Sequence, residues 1–141
     1  MKKIEARHSE CLATLATAGV DDDIRTNCIG IIGCLGTRPH SLQQNMAIAS
    51  LFLDRLQHDD SLGVLAETLN AVFDVYSEEN YDEVIAKLDM IMVLKKFSVK
   101  LASMIQLQQR NRTVDKALLE HIKEAKINLN RFIKYKLKEK N

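Results

Sequence analysis

Few residues in this chain could do chemistry, and most of them stand in the wrong company. Gly30, Gly33 and Gly36 recur at steps of three and invite a phosphate-binding loop. No strand pattern precedes them, no Lys-Ser/Thr pair follows, and the spacing is not that of a dinucleotide fingerprint. Small residues at that spacing instead let a neighbouring helix come close. His8 and Cys11 stand three apart and could furnish half a zinc site, but no second pair is spaced to complete it. Cys11, Cys28 and Cys34 form no C-x-x-C pair, so neither a zinc knuckle nor a disulfide framework is indicated and a reducing compartment is expected. Asp21, Asp22 and Asp23 lack the ligand pattern of a calcium loop and are read as a helix cap. His40 and His58 are read as loop histidines, and no nucleophile lies in an enzyme motif. The expectation is a non-enzymatic protein with no catalytic residue, no metal and no cofactor.

What remains is charge, and it is unevenly spread. Residues 1–94 hold 7 basic and 15 acidic side chains, and residues 95–141 hold 13 and 4, so a net charge of +1 hides −8 followed by +9. Within the first part, Glu67, Asn70, Asp74 and Glu78 fall at steps of three and four, which places them on one side of a helix. That acidic stripe is the candidate partner-binding site. Within the second part, Arg131, Lys134, Lys136, Lys138 and Lys140 could meet phosphates. Phe132 falls on the apolar side there and leaves only Tyr135 for stacking on bases, so a solvated helix face is expected, with a nucleic-acid-binding HEAT domain that uses this basic half as the alternative.

The elements that position these residues follow from composition and periodicity. A chain of 141 residues, 46% hydrophobic, with one proline, five glycines and no tryptophan, describes one helical domain rather than a turn-rich sandwich or barrel. Its longest apolar run, residues 28–35, is far short of the roughly 18 residues needed to cross a bilayer, and Met1-Lys2-Lys3 leads into charged residues rather than an apolar signal core. No membrane is expected. Helical spacing predicts seven helices: Ile4 to Ala18, the triple aspartate to Leu35, one capped by Ser41, one capped by Ser61 and running to Tyr76, Asp82 to Lys96, Ser98 to Gln109, and a last one from Thr113 or Asp115 to Lys138. Leu118, Ile122, Ala125, Leu129, Phe132, Ile133 and Leu137 form the apolar stripe of the last helix, with Lys116, Lys123, Lys134 and Lys138 opposite.

An offset of forty residues lays Ile24 on Val64, Cys28 on Thr68, Ile31 on Ala71, Ile32 on Val72 and Leu35 on Val75. Two helices per unit at that period describe a HEAT-type solenoid, in which each hairpin buries its apolar faces only against its neighbours. The expected fold is therefore an all-α, right-handed α-α superhelix of HEAT/armadillo type. It comprises a single domain over 1–141, with hairpins at 3–36 and 41–77 and a C-terminal cap at 82–138. Its second helices, and with them the acidic stripe, are expected to line the concave wall.

The stretches IRTNCIGIIGCLG at residues 24–36, LAETLNAVFDVYSEEN at 65–80 and AKINLNRFIKYK at 125–136 resemble the C-terminal end of the symportin family, also called HEAT-repeat-containing protein 3. That resemblance implies a chaperone or adaptor for nuclear import of the large-subunit ribosomal proteins of the 5S ribonucleoprotein. It implies a place in the cytoplasm and nucleus, and as partners the basic segments of those proteins and the preceding N-terminal repeats of a longer chain. The family's Pro-Tyr import signal and long acidic loop have no counterpart here, so a C-terminal piece or shortened relative is expected.

Overall fold

The computed structural model describes residues 11, 21–38, 41–111 and 113–139. The helix predicted at 4–18 lies outside them apart from Cys11, which is buried. Helix α1 spans Asp22–Gly36 and begins as the triple aspartate requires: the Asp21 side chain accepts a hydrogen bond from the Asp23 N–H at 2.9 Å, with Asp22 and Asp23 in the positive first turn. Helix α2 spans Leu42–His58 and opens on a capping box. The Gln44 N–H donates to Ser41 Oγ at 3.2 Å, and the Ser41 N–H donates to Gln44 Oε1 at 3.0 Å. Helix α3 spans Leu62–Tyr76 and starts on Ser61, whose hydroxyl accepts from the Val64 N–H.

The next segment departs from expectation. Instead of helices at 82–96 and 98–109, a 3₁₀ turn over Glu79–Tyr81 leads to a short helix α4, Asp82–Lys87, and then to α5, a single helix over Met90–Gln109. The break falls at Leu88-Asp89, where Asp89 adopts left-handed φ 51°, a conformation aspartate tolerates better than most residues. Apolar periodicity continues through that point and hides it. Ser98, read as a helix start, instead sits mid-helix and donates to Asn130 Oδ1 at 3.0 Å. Helix α6, Lys116–Glu139, is capped by Asp115, whose Oδ1 accepts from the N–H groups of Ala117 and Leu118.

The helices stack in two layers. Helices α1, α3 and α6 form one layer with α3 in the middle, α2 and α5 form the other, and the consecutive pairs α2–α3 and α5–α6 cross between them. This is an all-α helical-repeat solenoid, and α3 has the broad apolar arc of a helix packed on several sides, with ten of its residues from Leu62 to Tyr76 buried. Ile24, matched by the repeat to buried Val64, is 50% exposed.

The glycine stripe of α1 serves the α1–α3 seam. A Cβ on Gly33 would lie 3.1 Å from Ala71 Cβ, and one on Gly36 would lie 3.1 Å from Val75 Cγ2. One on Gly30 would meet only the Glu67 carboxylate, at 3.3 Å. The three positions should therefore respond differently. Alanine raises helix propensity by about 1 kcal/mol over glycine, and Gly30→Ala should keep most of that gain because the flexible end of Glu67 can move. Gly33→Ala must push two backbones apart, an overpacking cost of about 1–3 kcal/mol, so a net loss of about 1 kcal/mol is expected in urea unfolding. Equal midpoints for the two variants would contradict close packing at Gly33.

Candidate partner-binding face

Along α3 the residues at 71 and 75 meet α1, and Phe73 meets α6, its ring 5.7 Å from that of Phe132. Between those two contact lines one strip of α3 faces solvent. Glu67 and Asn70 lie half-buried on it, Asp74 is exposed further along it, and Glu78 is exposed past the helix end. Glu67, Asn70 and Asp74 are thus on one face, spread over about 10 Å of helix at 1.5 Å per residue, whereas Glu78, expected from sequence on the same stripe, lies two residues past the end of α3 in the turn that follows. Among the described residues no lysine or arginine forms an ion pair with Glu67, Asp74 or Glu78.

The carboxylates that do have partners belong to the framework. Asp59, in the turn between α2 and α3, is 4% exposed and takes a two-pronged contact from Arg25 on α1. Nε reaches Oδ2 at 3.0 Å and Nη2 reaches Oδ1 at 3.1 Å. The same Oδ1 accepts from the Ser61 N–H at 3.0 Å. One aspartate thereby ties the start of α1 to the start of α3. Asp21, Asp22 and Asp23 are exposed and lie close together, but Asp21 caps α1 and Asp22 Oδ2 accepts from Ser61 Oγ at 3.2 Å. Their capping role is the expected one. Cys28 is buried and Cys34 exposed, while His8 and His40 lie outside the described residues.

The basic end divides in two. Arg131, Lys134 and Lys138 are exposed, but Lys136, read from sequence as one of the solvated set, is 2% exposed. Its Nζ donates to Asp82 Oδ1 at 2.9 Å and to the carbonyls of Ser77 and Glu78 at 3.3 and 3.5 Å, closing the C-terminal end of α3. Its ammonium also lies 5.5 Å from the Tyr135 ring centroid. Lys100 on α5 does the same for α2, donating to the carbonyls of Leu56, Gln57 and Asp59, each at 3.3 Å. Helix C-termini leave four carbonyls without partners and carry negative partial charge, so an ammonium from the next unit suits both needs. Lys140 lies outside the described residues.

Sequence reading missed Lys100 and Lys136 as structural groups, although Lys136 carried a signal. The stripe Ile122, Ala125, Leu129, Phe132 advances by three and four, and its next member is Lys136 rather than Leu137. Leu137 is accordingly 37% exposed.

Comparison with known proteins agrees with the helical-repeat architecture. A family model described as SYO1-like, TPR repeats, matches residues 1–140. Symportin 1 of Chaetomium thermophilum is 27% identical over 120 residues, which covers 79% of this chain and 17% of that protein. The chain thus matches less than a fifth of the length of this curated relative. The family description speaks of TPR rather than HEAT repeats, and the described helices bear out the coarser class that both names share. From its stacked helix pairs and a family match along almost all of its length, the chain belongs to the SYO1-like, or symportin, family of helical-repeat proteins.

Proposed function

We propose that this chain is a non-enzymatic protein-binding segment of a ribosomal-protein import chaperone. The acidic face of α3 receives basic, extended segments of large-subunit ribosomal proteins. The observation that carries the reading is Glu67 and Asp74 on α3 with Glu78 just past its end, three carboxylates in reach of solvent with no cationic partner among the described residues. A lysine- or arginine-rich strand laid along it gains charge-assisted hydrogen bonds of about 1.5–3 kcal/mol each when well formed. Asn70, between the carboxylates, supplies a donor and an acceptor for that strand's backbone. Such a chaperone works in the cytoplasm and nucleus. The segment works there beside the repeats that make up the rest of the relative, with a HEAT-like register supported by the forty-residue offset.

The opposite reading, nucleic acid held by the basic second half, loses Lys100 and Lys136 to helix ends and Phe132 to the core. Binding of the purified chain to large-subunit ribosomal proteins, to duplex DNA and to single-stranded RNA, measured over a salt series, separates the two. The expected result is capture of basic ribosomal proteins and little nucleic-acid affinity at physiological salt. Tight duplex binding with a logarithmic salt slope near −0.9 per phosphate contacted, and no ribosomal-protein binding, would reverse the reading.

A further inference from the structure

The last helix pair carries a second surface of opposite character. Helices α5 and α6 pack on α2 and α3 on one side, and on the other they leave an open groove of about 340 Å³ lined by Lys95, Ser98, Val99, Asn130, Ile133 and Lys134. Its chemistry is one-sided. No carboxylate lines it, and neither Lys95 nor Lys134 has an ion-pair partner among the described residues. The Ser98 hydroxyl donates to Asn130 Oδ1 at 3.0 Å, which leaves the Asn130 amide N–H groups to donate outward. Its apolar part is aliphatic: Ile133 is buried between the helices and Val99 stands 72% exposed beside it. Ile127 and Leu137, 54% and 37% exposed, continue the apolar row along the same edge of α6, one at each end of the Asn130–Lys134 stretch.

We propose that this groove docks an acidic peptide segment of a partner protein, with an aliphatic side chain seated on Val99 and Ile133 and flanking carboxylates paired to Lys95 and Lys134. Charge complementarity selects the sign, because the wall offers ammonium and amide donors and no competing carboxylate. The aliphatic part selects peptide over nucleic acid, since no aromatic ring lines the groove on which a base could stack. The surface is distinct from the acidic face of α3, and neither assignment depends on the other.

Fluorescence anisotropy with a labelled acidic peptide, EEDLDDLEE, against the full chain at physiological salt provides the test. Its serine version EEDSDDSEE and an oligothymidylate of similar charge serve as competitors. Saturable binding of the leucine peptide is expected, weakened at least tenfold by Lys95→Glu with Lys134→Glu. Arg110→Glu with Lys116→Glu changes net charge equally at exposed sites outside the groove and should leave the affinity within about twofold. Circular dichroism establishes that both double variants are folded. The proposal is overturned by any of four results: no binding of the leucine peptide, an unaffected groove variant, equal loss in the control variant, or equal competition by the serine peptide. Tighter binding of oligothymidylate that depends on Lys95 and Lys134 would assign the groove to nucleic acid instead.

Discussion

Replacing Asp59 with alanine is expected to destabilise the fold by about 3 kcal/mol, near the lower end of the range for removing one partner of a buried ion pair. The side chain of Asp59 is 3% exposed and that of Arg25 is 18% exposed, so part of the guanidinium can regain water and the upper end of the range does not apply. Three groups lose their acceptor together. They are Arg25, the Ser61 N–H, and Arg55, whose Nη1 lies 3.7 Å from Asp59 Oδ2. Arg55 keeps its Nη2 contact to Asp54 Oδ2 at 2.7 Å, so the larger losses fall on Arg25 and the Ser61 N–H. A double-mutant cycle with Arg25→Met checks the assignment. The double variant should lose clearly less than the sum of the singles, because each single change strands the same partner. Additive losses, or a cost below about 0.5 kcal/mol for Asp59→Ala, would show that the link between the two helix starts does not hold them together.

Lys136→Met is expected to cost about 2–3 kcal/mol, whereas Lys134→Met and Lys138→Met should each stay within about 0.5 kcal/mol of the parent. Methionine keeps most of the aliphatic stem, so the difference isolates the ammonium. Its loss takes a donor from the carbonyls of Ser77 and Glu78, the second of which keeps the Tyr81 N–H at 3.3 Å, and frees Asp82. Asp82 is 45% exposed and rehydrates readily, which is why the cost stays below that expected at Asp59. Urea unfolding of the three variants side by side gives the answer. Similar losses at all three positions would mean that Lys136 belongs with the solvated charges after all.

Why some of this was legible in the sequence and some was not comes down to range. Ser41, Ser61, Asp21 and Asp115 were readable as helix starts because a cap is a bond between residues two or three apart. The close packing of α1 on a neighbour was readable because small residues such as Gly33 and Gly36 can serve it whatever the partner. The break at Asp89 was not, since the apolar period runs on through Leu88 and Ile91 and the turn depends on one residue's left-handed backbone. Arg25 with Asp59, Lys100 with the end of α2, and Lys136 with the end of α3 join positions 34 to 59 residues apart. A charged side chain looks the same in sequence whether it ends in water or on a helix terminus. The same blindness affects the acidic face: its alignment on α3 was visible in the spacing, but its lack of cationic partners required the fold.

The most direct measurement is the affinity of the chain for a basic segment of a large-subunit ribosomal protein, compared between the parent and the double variant Glu67→Lys, Asp74→Lys. Reversal should weaken binding at least tenfold, which needs a loss of only about 1.4 kcal/mol. Helicity and melting temperature should be nearly unchanged, because neither carboxylate forms an ion pair among the described residues and partly exposed charges contribute little to folding. Binding by the folded double variant as tight as the parent's would contradict the acidic face of α3 as the site.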